Sequence, residues 1–253
     1  MSEARAAATV MVVRDGAEDI ELILLKRSRK VGFFPSAWVF PGGRVDEEDS
    51  KFPSTGSVPG LEDTCFAVAA IRETFEEAGY WLGEGQPSSK LREVLNKREG
   101  SLPLDGSLVA NLSRLRQWSW WITPETEPRR YDTRFFLCCV NESEQEISHD
   151  NYEAVESCWI SPREAIRKHE QGEMFMAPPT YITLLELQRY SSCDQLWNAA
   201  ESKQIEAIQP THFREESLFE IRFPGHPKHP VSTKILEYTH VILEQQVWRA
   251  CSI

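Results

Sequence analysis

Three glutamates and an arginine stand close together in residues 72–79, which read RETFEEAG. At about 100° per residue, Glu73, Glu76 and Glu77 fall on one side of a helix. Because like charges on one face repel each other, such a helix needs a compensating positive group. Arg72, four residues before Glu76, can compensate part of this charge, and a divalent cation can compensate the rest. The alternative interpretation is a solvated acidic helix face.

The surrounding residues predict the elements that position this cluster. Val68, Ile71 and Phe75 form an apolar stripe on the opposite face, and Gly79 offers a C-terminal stop, so a helix is expected over residues 64–78. Upstream, the apolar residues 38–40 run into Pro-Gly-Gly, which predicts a strand followed by a tight glycine loop.

Gly43, five further residues, Asp49, a spacer and then the Arg72 segment together resemble the Nudix box, the signature of the Nudix hydrolase family. Asp49 stands where the family has Glu, and Thr74 and Tyr80 stand where it has aliphatic residues. This leaves the role of Asp49 open.

The spacer between the two halves of the box is long. It has 22 residues, 50–71, where the family pattern has seven. Its turn-forming residues predict a surface insertion at 50–63, which splits the box into residues 43–49 and 72–80.

The resemblance implies a metal-dependent hydrolase of diphosphate bonds that join a nucleoside diphosphate to another moiety. Mg²⁺ and Mn²⁺ prefer carboxylate oxygens, neutralise phosphate charge and activate water. The family's metal-ligand positions fall on Glu73, Glu76 and Glu77; Glu73 and Glu77 are expected to be the principal ligands. Glu76 is either a third ligand or the partner of Arg72. Glu73 and Arg72 are the expected catalytic residues, Arg72 by holding a carboxylate in place.

Further acidic residues are weighed as parts of the site. Some members of the family take their general base from a loop far from the box, and Glu153 and Glu156 lie in such a segment. The alternative is that both are ordinary loop carboxylates. Asp46, Glu47 and Glu48 are expected to be solvated turn charges.

Residues 23–28, which read ILLKRS, and the FPGG at 40–43 are similar to the motif that precedes the box in coenzyme A diphosphatases. The spacing is the same, but Leu25, Gly32 and Ser36 replace the Thr, Arg and Gly of that motif. Over about residues 8–190 the chain resembles the long-spacer branch of the family, typified by the mammalian peroxisomal coenzyme A diphosphatase.

Coenzyme A carries a diphosphate and a 3′-phosphate, which Arg27 and Arg29 could contact, with Gly42 and Gly43 also substrate-binding. The alternative for this basic run is a solvated strand end. A second basic patch contains the three arginines at 129, 130 and 134, and Asp132 can pair with one of them.

Three tryptophans, Trp118, Trp120 and Trp121, lie in one expected strand. Strand alternation puts Trp118 and Trp120 on one face. Core packing is expected for them in preference to stacking on an adenine.

The expected fold class is α/β: a Nudix-type α/β/α sandwich with a mixed sheet, as a single domain over residues 1–253. A helical insertion is expected at about 86–116, with helices at 88–98 and 108–116, and a C-terminal extension at about 192–253. Further expected elements are strands at 9–13, 21–26, 117–122, 133–140, 155–160 and 219–223, helices at 162–171 and 179–191, and a terminal hairpin within 239–249.

Composition narrows the classes of function. The chain has 253 residues, 41% of them hydrophobic and 26% charged, which suffices for a full core. Its net charge of −11 argues against nonspecific nucleic-acid binding but not against a small polyanion at a local site. No apolar run approaches the ~18 residues that span a membrane. Six cysteines without a C-x-x-C pair indicate reduced thiols and a cytoplasmic location.

Three functions therefore remain, all with a small-molecule nucleotide partner and none with a nucleic acid or membrane. The first is a Mg²⁺- or Mn²⁺-dependent diphosphatase for coenzyme A or an acyl derivative. The second is the same chemistry on NADH, ADP-ribose or a dinucleoside polyphosphate. The third is a non-catalytic nucleotide-binding module, against which the three retained glutamates argue. Whether the chain forms a homodimer is left open.

Overall fold

A computed structural model describes residues 3–30, 34–141, 145–215 and 218–253. Gly32, compared above with a motif arginine, lies outside these ranges. The strands are β1 (Arg5–Asp15), β2 (Ile20–Arg27), β3 (Trp38–Val39), β4 (Gly42–Arg44), β5 (Ser54–Thr55), β6 (Gly83–Glu84), β7 (Val109–Asn111), β8 (Arg116–Ile122), β9 (Tyr131–Cys139), β10 (Ala154–Ile160), β11 (Ala207–Ile208), β12 (Thr211–Glu215), β13 (Leu218–Arg222), β14 (His240–Glu244) and β15 (Val247–Cys251). The helices are α1 (Cys65–Ala78), α2 (Ser89–Asn96), α3 (Pro162–Glu170), α4 (Pro178–Leu187) and α5 (Cys193–Ser202), with 3₁₀ turns at Glu47–Ser50 and Leu112–Arg114.

The main sheet is mixed, as expected. Its strand order is β10-β2-β1-β9-β8-β11, and the short strands β3 and β4 pair with β2 and β1. β1 runs parallel to β9, and β11 runs parallel to β8, whereas the other pairs are antiparallel. The continuous apolar run in β1 agrees with a strand that is buried on both faces.

Helices cover both faces of this sheet. Val10 and Val12 of β1 pack in the cluster that contains α1, whereas Met11 and Val13 pack in the cluster that contains α3, α4 and α5. This alternation follows from the two-residue period of a strand. The α/β/α sandwich predicted from the sequence is therefore confirmed.

The predicted helix at 108–116 is wrong. These residues form β7, a 3₁₀ turn and the start of β8. Ala110 of β7 pairs with Ser54 of β5 on one side and with Gly83 of β6 on the other. This small three-stranded sheet joins the insertion inside the box to the segment after α1, and such pairing over long sequence distances overrides local helical spacing.

The tight glycine loop is instead a short strand. Gly42 and Gly43 of β4 pair with Thr9 and Ala8 of β1. A Cβ atom on Gly42 would lie 2.4 Å from the carbonyl oxygen of Ala8. Only glycine permits this close backbone approach.

The tryptophan alternation is also wrong. The pairing of β8 with β9 shifts register between Gln117 and Ser119. Trp118 and Trp121 therefore both lie in the core cluster beside α3–α5, whereas Trp120 is half-buried elsewhere. The expectation that these residues serve core packing is met by Trp118 and Trp121.

The C-terminal extension begins with α5 and adds β11 to the edge of the main sheet. The rest forms a separate antiparallel sheet of order β12-β13-β14-β15, called here the C-terminal sheet. Ile221, Val241 and Trp248 of this sheet are buried in the core cluster beside α3–α5. Among the described residues, no helix is long and apolar enough to cross a bilayer, and all six cysteines are free thiols.

Candidate active site

Helix α1 holds the glutamates in place through its C-terminal end. Gly79 adopts a left-handed conformation (φ 72°), and its N–H donates to the carbonyl of Phe75 at 2.9 Å. Arg92 of α2 donates from Nε to the carbonyl of Glu76 (2.8 Å) and from an Nη to that of Glu77 (2.9 Å). These bonds satisfy carbonyls in the last helical turn. The sequence analysis missed Arg92, because nothing in its spacing connects it to α1.

Arg72 joins the two halves of the split box. It donates to both carboxylate oxygens of Asp49, at 2.8 and 3.0 Å, and Asp49 is only 3% exposed. The insertion therefore leaves the two halves of the box in contact. Asp49, whose role was left open above, is a bidentate hydrogen-bond partner of Arg72.

The same guanidinium also reaches the glutamates. One Nη donates to Glu73 and to Glu76, each at 3.0 Å, and the other donates to the carbonyl of Arg44 at 2.8 Å. Glu76 is thus a partner of Arg72, one of the two roles considered for it. The carboxylates Asp49, Glu73, Glu76 and Glu77 with Arg72 are called here the α1 cluster.

The glycine pair of β4 lies directly against this cluster. The N–H of Gly42 donates to Glu77 at 2.9 Å, and a Cβ atom on Gly43 would lie 2.5 Å from the Glu73 carboxyl. Thr9 fixes the preceding turn by donating to the carbonyl of Pro41 at 2.6 Å. A larger residue at position 43 would displace the Glu73 side chain.

The glutamates carry more negative charge than Arg72 offsets. Burial raises the pKa of Glu73 to about 7, although the charge of Arg72 lowers it. Burial likewise raises the pKa of Glu76, and burial together with the charge of Glu73 raises that of Glu77 well above its usual range. On Arg72, burial alone lowers the pKa, but Asp49 and the glutamates raise it above its ordinary value.

This donor set fits a hard divalent cation. The donors are carboxylates whose pKa values are raised first of all by burial, and a cation would offset the cost of burying their charge. Elsewhere in the described part of the chain, a group of three possible metal ligands has one ligand atom from each residue within 4.8 Å of the others. The group consists of Glu220 and His240 on the C-terminal sheet and His226 in the loop between β13 and β14.

A cavity of about 1880 Å³ opens over the α1 cluster. Arg27 lines it, and its buried Nε has no hydrogen-bond partner among the described residues, so this guanidinium nitrogen is available to an anion. Arg29 is exposed and is not brought to the cavity. Of the two arginines expected to contact the substrate, only Arg27 therefore lies at the cavity, and its role in binding stays a prediction.

Of the other candidate acidic residues, some line the cavity and one lies away from it. Glu153 lines the cavity, and its charge contributes to the raised pKa of Glu73 and Glu77. Glu156 is exposed and pairs with Lys26 at 2.6 Å. Asp46 and Glu48 are exposed as expected, although they lie at the cavity's edge.

Two of the three arginines of the second basic patch line the cavity, and the third does not. Arg129 and Arg130 line the cavity. Arg134 instead stacks on Trp120, 3.5 Å from the ring centroid, and lies 3.8 Å from Asp132.

The C-terminal sheet also contributes to the wall of the cavity. Phe219, Ile221 and Trp248 line it together with Trp121 and Phe135 of the main sheet. The sequence assigned no role in the site to the residues of the C-terminal sheet.

The sandwich, the split box and the carboxylate helix define the chain as a Nudix hydrolase. A crystal structure of a Nudix hydrolase from Alicyclobacillus acidocaldarius matches with a TM-score of 0.67 and 29% identity over 80% of this chain and 97% of that one. The enzyme class expected from the sequence, a hydrolase of diphosphate bonds, is confirmed.

Within this class, residues 52–189 match the family model of the NUDT19 Nudix domain, and the chain belongs to that family. The acyl-coenzyme A diphosphatase NUDT19 of Gallus gallus is 30% identical over 77% of this chain and 68% of its own length. Its namesake from Homo sapiens is 29% identical over 76% of this chain and 67% of its own. The resemblance to the long-spacer branch is thereby confirmed.

Proposed function

We propose that this enzyme hydrolyses the diphosphate bond of coenzyme A or of an acyl-coenzyme A. One water is consumed, one P–O bond of the diphosphate breaks, and the products are 3′,5′-ADP and 4′-phosphopantetheine or its acyl form. The observation that carries the proposal is a buried, undercompensated carboxylate cluster at the wall of a cavity large enough for an extended substrate. The name shared by the Gallus gallus and Homo sapiens relatives supports the choice of substrate.

We assign the metal to Glu73 and Glu77, with Glu76 held by Arg72 at the cluster's edge. Bound there, Mg²⁺ or Mn²⁺ would neutralise the diphosphate oxygens and lower the pKa of a bound water. Arg72 and Asp49 keep Glu73 oriented, since Arg72 bonds to both carboxylates. Gly42 and Gly43 line the cavity beside the carboxylates, where they would contact a phosphate, and Arg27 contributes positive charge to the diphosphate.

We propose Glu153 as the group that takes the proton from the attacking water. It stands in the cavity wall, and its backbone N–H donates to the buried Asp150 at 3.1 Å. Asp150 also accepts from the N–H groups of Tyr152 and Ala154, which fixes the turn that carries Glu153. In a Glu153→Gln variant, kcat should fall by roughly 10²-fold with KM little changed, because the base and not the binding is lost.

The experiment that tests the function is product analysis by mass spectrometry in the presence of Mg²⁺ or Mn²⁺. The panel contains coenzyme A, acetyl-coenzyme A, NADH, ADP-ribose and a diadenosine polyphosphate. Release of 3′,5′-ADP and 4′-phosphopantetheine faster than any other product is the expected result. Preferred cleavage of a dinucleotide would overturn the substrate assignment. Ligand binding without cleavage in either metal would overturn the catalytic assignment.

A further inference from the structure

The proposed mechanism uses groups that stand on separate segments of the chain. The assigned metal ligands Glu73 and Glu77 lie on α1, whereas Glu153 lies in the turn that precedes β10. Both segments must act on one water molecule, and a misplacement of about 1 Å can cost a factor of roughly 10² in rate. The turn must therefore be held in a fixed position relative to the end of α1.

Arg92 of α2 connects these two segments. Besides its bonds to the last turn of α1, described above, it donates from its two Nη atoms to the hydroxyl of Ser148 at 2.7 Å and to the carbonyl of Ser148 at 2.5 Å. The N–H of Ser148 donates in turn to the carbonyl of Ala78, the last residue of α1, at 3.0 Å. One guanidinium thus bonds both to the end of α1 and to the residue two positions before Asp150.

The contacts continue from Ser148 to the proposed base. Asp150 is buried and accepts from the N–H of Glu153 at 3.1 Å. Burial lowers the pKa of Arg92 below its ordinary value, although the charges of Asp150 and Glu77 raise it. Both carboxylates therefore act on this guanidinium, which lies between the turn that carries the base and the helix that carries the ligands.

The four bonds of Arg92 depend on the shape of its side chain. A guanidinium carries five N–H donors in one plane, so it can bond to acceptors on two segments at once, whereas lysine has its three donors on a single atom. Arg98, which follows α2, pairs with Glu153 at 3.3 Å, but its side chain is 70% exposed and the pair positions the carboxylate only weakly. Arg92 is half-buried and makes four bonds, so it is the stronger link.

We infer that Arg92 is a positioning residue that holds the turn of Glu153 against the end of α1 where the metal ligands stand. This inference rests on the proposed function and deepens it, since it gives α2 a role in turnover. Arg92 is not among the described residues that line the cavity, so it acts on the reaction through Glu153 and leaves substrate binding unchanged.

The test is a double-mutant cycle at saturating Mn²⁺ with coenzyme A as the substrate. Arg92→Met should lower kcat roughly tenfold and leave KM within about twofold, because the turn is released while the cavity is unchanged. In the Glu153→Gln background, the same substitution should lower kcat by less than about twofold, because the group that it positions is already absent. Equal losses in the two backgrounds would overturn the inference.

Two variants of α2 serve as controls, and thermal unfolding of each variant checks that it is folded. Lys90→Met removes an exposed cation two residues before Arg92 and should keep kcat within about twofold of the wild type. Arg92→Lys keeps the charge but not the planar group, and its kcat should stay roughly fivefold below the wild type. Full kcat in Arg92→Lys would mean that charge and not position matters, which would contradict the inference.

A measurement without substrate separates this inference from the proposed function. Hydrogen exchange in EDTA, followed by mass spectrometry, should be roughly tenfold faster in residues 148–154 of Arg92→Met than in the wild type, and unchanged in Lys90→Met. If the wild type hydrolyses neither coenzyme A nor an acyl derivative, the proposed function fails. Unchanged exchange in residues 148–154 of Arg92→Met would overturn the inference about Arg92, whatever the substrate.

Discussion

Two of the buried clusters of ionisable side chains in the described part of the chain differ in their charge balance. In the α1 cluster, three of the four carboxylates bond to one guanidinium, Glu77 accepts only from the N–H of Gly42 among the described groups, and all four line a cavity. On the outer face of the C-terminal sheet, Glu220, Arg222, His226 and His240 form what we call the sheet cluster. There a single carboxylate is matched by a single guanidinium, and both of its oxygens accept from Arg222.

The pKa shifts follow this difference. In the α1 cluster, burial raises the pKa of the glutamates because Arg72 compensates only part of their charge. In the sheet cluster, burial lowers the pKa of His226 and His240, and the imidazoles stay neutral. Burial alone would raise the pKa of Glu220, but Arg222 leaves it below its ordinary value.

Closely spaced ligand atoms do not by themselves indicate a cation site here. The sheet cluster brings three ligand atoms within 4.8 Å of one another, yet its carboxylate is already neutralised, and His226 accepts from the N–H of Lys228 at 3.1 Å. In the α1 cluster, Arg72 offsets only part of the cost of burying the glutamates. A cation therefore gains more free energy at the α1 cluster, and the sheet cluster is assigned a structural role.

The largest expected effect is on turnover. Glu77→Gln should lower kcat by roughly 10³-fold, about 4 kcal/mol, because a neutral amide replaces a charged metal ligand. Glu156→Gln, which changes an exposed carboxylate paired with Lys26, is the matched control and should keep kcat within about twofold. Metal-dependent turnover that survives in Glu77→Gln would show that the ligand assignment is wrong.

The second largest effect is expected on the free energy of unfolding, when a substitution removes a charge from the sheet cluster. Arg222→Met leaves Glu220 buried without its counterion and should lower the free energy of unfolding by about 3 kcal/mol, measured by urea denaturation. Arg249→Met removes a partly exposed arginine from the same sheet and should cost less than about 1 kcal/mol. If the purified wild type contained zinc and His226→Ala did not, the structural role assigned to the sheet cluster would be wrong.

A smaller effect is expected on metal affinity when the contact between Asp49 and Arg72 is weakened. Asp49→Asn removes the bidentate charge partner of Arg72 and should weaken Mn²⁺ binding by roughly 10–100-fold, measured by calorimetry. Asp46→Asn is the control, since Asp46 is exposed and lies 3.6 Å from Arg72. Equal losses in the two variants would mean that the bidentate geometry is unimportant.

The two clusters should also respond to pH in opposite directions when metal is removed with EDTA. The folded pKa of Glu73 is raised, so its contribution to stability is full below the unfolded value near 4.5 and is lost as pH rises through about 7. The folded pKa values of His226 and His240 are lowered, so their contribution is present above about 6.5 and is lost as pH falls.

The measurement is urea denaturation between pH 6 and pH 8 for the wild type and Glu73→Gln. Relative to the variant, the wild type should lose stability as pH rises, because only the wild type releases the Glu73 proton on this interval. Parallel curves for the two proteins would contradict a raised pKa at Glu73.

Local periodicity accounts for what the sequence analysis predicted correctly. Glu73, Glu76 and Glu77 share a helix face because of their spacing, and Gly79 ends the helix because it tolerates a left-handed conformation. The hairpin of β14 and β15 and the mixed sheet also agree with the predicted pattern. Errors arose where partners distant in sequence decide the conformation, as at Ala110 in β7 and at the register shift before Ser119.

The sequence by itself determined the chemistry of the α1 cluster, because helical geometry places residues three and four apart on one face whatever surrounds them. It also determined the family, because the ordered half-motifs persist across the insertion. The contacts of Asp49 with Arg72 and of Arg92 with the end of α1, and the place of the C-terminal sheet in the cavity wall, depend on the tertiary fold. These contacts join segments far apart in the chain, and their formation depends on how the layers pack.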